Sequence, residues 1–280
     1  MKKLFILIFI SVSGFAHPGV GIVHNSKGEI FYSDLAKVWK ISADGKTKRI
    51  VVPNVHTHEL HIDSNDNLYG EHLWYEGEKT DKWGHFVWKL DSKGHFTKVI
   101  NNTEGFLSNY SFNRDGVGNM FWIERGKTES FLMKKGINGK ISIVCTFKSV
   151  DVRWQYCNKQ GVFYYVDDND LYKIQNGKTT LVAQDLDGVK GIDPSRKPNH
   201  SIVGIWDDNH GNLYATIYEK REVIRINKNG KKDIVFKSSI LWHPTGGVID
   251  ANGNLWVLEN NDANQVRVSF VSKDDLKLSR

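Results

Sequence analysis

One short phrase recurs six times along the chain, at intervals of about 40 to 50 residues, and it constrains the fold more than any other feature. It reads Lys27-Gly28-Glu29-Ile30-Phe31-Tyr32, Asn65-Asp66-Asn67-Leu68-Tyr69, Gly118-Asn119-Met120-Phe121-Trp122, Gln160-Gly161-Val162-Phe163-Tyr164-Tyr165, Gly211-Asn212-Leu213-Tyr214 and Gly253-Asn254-Leu255-Trp256. Each copy is a turn running into an apolar-aromatic strand, the signature of a hairpin. A third strand follows in most copies, as in Val38-Trp39-Lys40-Ile41 and Val87-Trp88-Lys89-Leu90, then a further turn and a fourth strand such as Lys48 to Val52. Apolar and polar residues alternate with period two throughout, and no segment shows a helical period.

Six copies of a four-stranded antiparallel unit, with no linker between them, predict an all-β chain folded as a six-bladed β-propeller. A β-sandwich is the alternative architecture, but it has no use for the same phrase six times. The expected blades are 17 to 52, 53 to 103, 104 to 148, 149 to 185, 198 to 238 and 239 to 280. Closure of the ring is demanding, because Val266 to Leu278 must supply the outer strands of the last blade alone.

Residues 1 to 16 read as a secretory signal: Met1-Lys2-Lys3, an apolar run from Leu4 to Ile10, and small residues before His17. Export to the periplasm or the extracellular space is therefore expected, with residues 17 to 280 forming one domain. The apolar run is too short to span a bilayer and no later run is long enough. Without Lys2 and Lys3 the chain keeps a net charge of about +4, both signs interspersed. With no basic stripe, nucleic acid is not an expected partner. Cys145 and Cys157 are the two cysteines, both in apolar strand contexts, and read as small buried hydrophobes.

In a propeller blade the start of the first strand and the end of the second lie on one face of the disc. This chain places His17, His56 and His58, Tyr110, Arg153 and Trp154, and His243 at first-strand starts. It places Glu71 with His72, Glu124 with Arg125, and Glu259 at second-strand ends. Imidazoles and carboxylates thus gather around one mouth, a composition suited to a divalent cation (zinc, calcium or copper) and to proton transfer. The expected ligands are His56, His58 and His243, then His17 and His72. Glu71, Glu124 and Glu259 are the candidate acid–base groups, and Tyr110, Arg125, Arg153 and Trp154 the candidate substrate contacts. For any single histidine the competing reading is that it satisfies backbone groups. His17, exposed by cleavage after Ala16, could also chelate copper through its amine and ring, though Pro18 offers no amide N–H.

Other features read more plainly. Asp63-Ser64-Asn65-Asp66-Asn67 alternates like a calcium loop, but Leu68 stands where such a loop needs Gly, so it reads as an Asx-rich hairpin turn. His61 and His24 fall toward the opposite end of inner strands and read as structural. Trp39, Trp88, Trp122 and Trp256 sit at repeat positions and read as inter-blade packing, whereas Trp74, Trp83, Trp154, Trp206 and Trp242 fall nearer the mouth. The insertion from Tyr75 to His85 reads as a lid or as a solvated loop.

The Gly-Asn-Leu-Tyr phrases, together with His243-Pro244-Thr245-Gly246-Gly247-Val248-Ile249-Asp250-Ala251-Asn252-Gly253-Asn254, resemble the NHL-repeat and SMP-30/gluconolactonase-like six-bladed propellers. The resemblance covers the mature chain in framework residues and implies the fold. It also implies a small-molecule or peptide ligand and a metal-dependent hydrolase or lyase activity in a monomer. None of the lactonases' catalytic residues is matched position by position. Non-catalytic capture of a ligand or metal, as in many NHL-like propellers, is the other implied function.

Overall fold

The structure, a computed structural model, describes residues 19–148, 152–167, 169–188 and 201–278, without the side chains of Arg153 and Leu278. Six antiparallel sheets form a ring, and each is ordered as its strands occur in the chain. Blade one is β1 (Ile22–His24), β2 (Ile30–Ser33), β3 (Lys37–Ile41) and β4 (Lys48–Pro53). Blade two is β5 (Leu60–Ile62), β6 (Leu68–Tyr75), β7 (Trp83–Leu90) and β8 (Phe96–Glu104). Blade three has β9 (Met120–Arg125), β10 (Ser130–Lys135) and β11 (Ile141–Phe147), its inner segment joining through a lone bridge between Arg114 and Met120. Blade four is β12 (Arg153–Cys157), β13 (Phe163–Asp167), β14 (Asp170–Gln175) and β15 (Lys178–Ala183). Blade five is β16 (Ile202–Asp207), β17 (Leu213–Ile217), β18 (Glu222–Ile226) and β19 (Lys232–Lys237). Blade six is β20 (His243–Ile249), β21 (Leu255–Asn260) and β22 (Val266–Val271), followed by a short helix α1 (Lys273–Leu278).

The recurring phrase folds as it does because an acidic residue just before it ties the turn in four blades. Asp63, Asp115, Asp208 and Asp250 each accept two backbone N–H groups, two and four residues on, and the side-chain amide of the Asn four residues on. The Asx turn satisfies backbone donors that a strand end would leave orphaned. Asp63 to Asn67 is therefore the hairpin turn expected. The fourth position is left-handed and carries Gly28, Gly118, Gly161, Gly211 and Gly253 in five blades, but Asp66 at φ 60° in blade two. The carboxylate of Asp66 accepts from Ser26 N at 2.8 Å and Ser26 Oγ at 2.5 Å, tying blade two to blade one.

First strands of neighbouring blades touch around the axis: β1 meets β5 and β20, and β16 meets β12 and β20. Where glycines occur, backbones close the gap. A Cβ on Gly204 would stand 2.6 Å from Thr245 O, and one on Gly246 2.6 Å from Val20 O. Thr245 Oγ donates to Gly19 O at 2.9 Å and Val20 N to His58 O at 3.0 Å, so the start of the described chain is stitched to blades six and two.

Blade faces pack through apolar clusters, and several tryptophans lie over glycine. Trp88 is fully buried above Gly70, its cross-strand partner, and donates to Glu71 O at 3.0 Å. Trp206 covers Gly247 in the same way between blades five and six.

One local expectation needs correction, and another resolves toward one of its two readings. Val266 to Leu278 yields one outer strand, because the chain turns into α1, whose Leu276 is buried against blade six. The insertion from Tyr75 to His85 is an extension of the β6–β7 hairpin, paired up to Tyr75 and Trp83, with Trp83 packed edge-on against Phe106.

Candidate functional site

The first strands enclose a central cavity of about 820 Å³. Its walls differ in chemistry. Blade six contributes Gly246, Gly247, Val248 and Ile249, and blade one is apolar from Val20 to Val23. Blades two to four contribute Glu59, His61, Arg114, Gln155 and Tyr156, with Trp154 beside them. The alternation along β5 explains the pattern on blade two. Glu59, His61 and Asp63 share one face of the strand, while Leu60 and Ile62 on the other join the core between blades one and two.

Glu59 is the carboxyl of this set without a hydrogen-bond donor among the described residues. Its backbone N donates to Glu71 Oε1 at 3.3 Å, but its own carboxyl accepts no hydrogen bond among the described residues. Burial, reinforced by the charge of Glu71 and opposed by His58, pushes it up to about 7. Two residues on, burial and the Arg114 charge push the His61 imidazole down to about 4, so that ring is neutral at physiological pH.

Arg114 holds its guanidinium 5.4 Å from the Tyr69 ring centre and 5.0 Å from that of Tyr110. Its Nε donates to Ser111 O at 3.1 Å, Nη2 is buried without a partner, and no carboxylate pairs with it among the described residues. Across the cavity Tyr156 Oη donates to Asp207 Oδ1 at 3.0 Å, bridging blades four and five. Burial raises the carboxyl of Asp207 and holds the Tyr156 phenol well above its ordinary value.

At the opposite mouth, four of the residues expected there come together. The His56 and His58 rings meet edge-on at 4.7 Å, and His58 Nδ1 lies 3.6 Å from Glu71 Oε1. Glu71 is buried, its Oε1 accepting His58 N at 2.6 Å and its Oε2 left without a partner. Thr57, buried between blades one and two, anchors this corner by donating to Glu71 O at 2.5 Å and accepting Trp88 Nε1 at 3.3 Å. His72 Nδ1 accepts the His56 backbone N–H at 2.9 Å, which leaves the proton on Nε2. Burial lowers both His56 and His72, with the His58 charge adding to the first and the Lys98 charge to the second.

The remaining expected residues go elsewhere. His243 stacks on Tyr218 at 4.3 Å and donates from Nδ1 to Tyr218 O at 3.0 Å; no hydrogen bond or ring contact joins it to His58 among the described residues. Glu259 is fully buried and held by Arg267, Nε to Oε2 at 2.8 Å and Nη2 to Oε1 at 3.0 Å, with Ser269 Oγ also donating. A carboxylate so engaged and fully buried holds strands together and is out of a substrate's reach. Glu124 and Arg125 are exposed at the end of β9. Tyr110 is buried with Phe112 and Val87 between blades two and three. Of the expected site residues, Trp154 lines the cavity, at a bulge of β12 where its φ is 42°. His17 and the side chain of Arg153 lie outside the described residues.

A divalent cation fits this arrangement poorly. Among the described residues no three His, Cys, Asp or Glu side chains converge to hold one. The orphaned Glu71 Oε2 has His58 and His56 near it, but the lone pair of His72 Nδ1 is taken and His243 makes no hydrogen bond or ring contact with either ring or with Glu71 among the described residues. Sequence reasoning missed Arg114, Gln155 and the Tyr156–Asp207 pair, noticed Glu59 beside the histidines without placing it among the candidate acid–base groups, and read His61 as structural. The signal available was the polar spacing of Glu59, His61 and Asp63 at period two within the histidine-rich stretch.

No family model and no curated protein matches the chain. Solved structures do match its fold. A putative gluconolactonase superposes with a TM-score of 0.58 at 13% identity, covering 90% of this chain and 87% of the other. A luciferin-regenerating enzyme gives 0.57 at 13% identity over 91% of each chain. Regucalcin from Agrobacterium tumefaciens str. C58, described as a calcium-binding protein, gives 0.53 at 12% identity over 86% of this chain and 82% of that one. At this identity the likeness is one of fold, and it bears out the six-bladed propeller.

Proposed function

Starting from the fold it shares with the SMP-30/gluconolactonase-like propellers, we propose that this chain binds a small molecule in its central cavity. There it acts as a hydrolase or lyase, with Glu59 as the proton-transferring group. The observation that supports this most is the carboxyl of Glu59, on the cavity wall with no hydrogen-bond donor among the described residues and pushed up to about 7 by burial. Carboxyls perturbed in this way by burial and a neighbouring charge concentrate at functional sites. A carboxyl poised near neutrality gives a proton to a leaving oxygen in one state and takes one from water or from a carbon beside a carbonyl in the other. The aromatic faces of Trp154 and Tyr156 give the ligand a wall to lie against.

The test is a panel of esters, lactones and short peptides assayed on wild type, Glu59→Gln and His58→Ala, with metal content measured on the same samples. The reading expects turnover to fall about 100-fold or more in Glu59→Gln and little in His58→Ala. A stoichiometric divalent ion lost together with activity in His58→Ala would move the chemistry to the mouth and sink the cavity assignment. Export belongs to the same proposal: N-terminal sequencing of protein recovered from the exported fraction is expected to begin at His17.

A further inference from the structure

Arg114 is a partly buried cation with no carboxylate paired to it among the described residues. The aspartates along the same wall are already committed. Asp63 accepts from Asn65 N, Asn67 N, Asn67 Nδ2 and Tyr69 Oη; Asp115 from Val117 N, Asn119 N and Asn119 Nδ2; and Asp66 from Ser26. Arg114 pairs with none of them. Burying an unpaired charge is costly, and the cost is offset when a ligand supplies the opposite one. The guanidinium is also fixed, clamped between two tyrosine rings, so little side-chain entropy is lost when it binds.

His61 stands beside it. Both pack on the Tyr69 ring, which lies 6.1 Å from the imidazole centre and 5.4 Å from the guanidinium carbon. The imidazole makes no hydrogen bond among the described residues and is neutral, so it presents one N–H donor. The carboxylates nearby argue about the size of the charge that can be accepted. Asp63, Asp66, Asp115 and Asp207 all border the cavity, so a dianion is repelled where a monoanion held by one guanidinium is tolerated.

Resting on the cavity as the ligand site, we propose that the ligand carries a carboxylate, bound by Arg114 with His61 donating a second hydrogen bond. Glu59 and His61 are two residues apart on one strand, about 6.6 Å along it. The carboxylate therefore sits roughly that far from the group that exchanges a proton with Glu59. The substrate class is a small monoacid whose reacting bond lies a few atoms from its carboxylate.

Isothermal titration of acetate, hydrogen succinate and gluconate decides the matter, set against acetamide, sorbitol and inorganic phosphate. Wild type, Arg114→Met, Arg114→Lys, His61→Leu and Glu59→Gln are compared, each with its melting temperature. The carboxylates are expected to bind at least about tenfold tighter than their uncharged counterparts and than phosphate. That margin should vanish in Arg114→Met, survive in part in Arg114→Lys, and shrink several-fold in His61→Leu. Equal binding of acids and neutral analogues, an unchanged margin in Arg114→Met, tighter binding of phosphate, or no binding of any acid to wild type overturns the proposal. Should Arg114→Met fail to fold, the Arg114→Lys and His61→Leu margins carry the decision. If sorbitol binding is still weakened by Glu59→Gln while the acid margin is absent, the carboxylate subsite alone has failed. If Glu59→Gln changes no binding at all, the cavity reading has failed with it.

Discussion

Glu59 and His61 feel the same burial with opposite results, because burial disfavours whichever form is charged. For Glu59 the folded chain keeps its proton up to about 7, whereas the unfolded chain loses it near 4.5. Between those values the native state holds more protons, so its stability declines as pH rises. Glu59→Gln should therefore stabilise the protein at pH 8, by about 1–2 kcal/mol once solvent in the cavity is allowed for, and leave pH 4 unchanged. Equal melting shifts at both pH values would show that Glu59 titrates normally. For His61 the unfolded ring charges below 6.5 and the folded ring only near 4, so stability is lost as pH falls through that window. His61→Gln should raise the melting temperature at pH 4.5 relative to wild type and not at pH 7.5; the ring's NMR titration gives the same answer independently.

Strand pairing decides which carboxylates are free, and spacing along the chain does not reveal it. Glu71 and Glu259 occupy equivalent second-strand ends, and the sequence treats them alike. The register sets Arg267 directly opposite Glu259, whereas Val87 stands opposite Glu71. Arg267→Met should thus cost about 3–5 kcal/mol by stranding a buried charge, and the double variant Glu259→Leu/Arg267→Met should recover much of it. Denaturant midpoints for the two variants suffice, and an Arg267→Met variant as stable as wild type would return Glu259 to the list of mobile acids. The same pairing puts Trp88 over Gly70, where an added Cβ would lie 2.4 Å from Cζ2. Gly70→Ala is expected to destabilise by about 2–3 kcal/mol, a loss that Trp88→Leu in the same chain should relieve.

On the scale of the whole ring, the six turn phrases were legible because each is local: an Asx cap, a left-handed residue, a strand. The corner of His56, His58, Glu71 and His72 was legible for the same reason, as all four belong to one hairpin. The cavity was not. Its shape follows from contacts such as Gly204 on Thr245 and Gly246 on Val20, which join residues from different blades and leave no periodic trace. Thr245 tests how far those contacts hold the ring. Thr245→Val removes the hydroxyl donated to Gly19 O, and it should cost about 1–2 kcal/mol. Hydrogen exchange should rise in blade one more than in blades three and four; a uniform rise would mean the loss is spread through the core. Because backbone meets backbone along blades five, six and one, that arc has no room to vary. Blades two to four carry most of the charged and polar side chains that line the cavity. A lineage built on this ring could therefore change what it recognises by exchanging a few residues on one arc, while the facing arc stays fixed as an unaltered template.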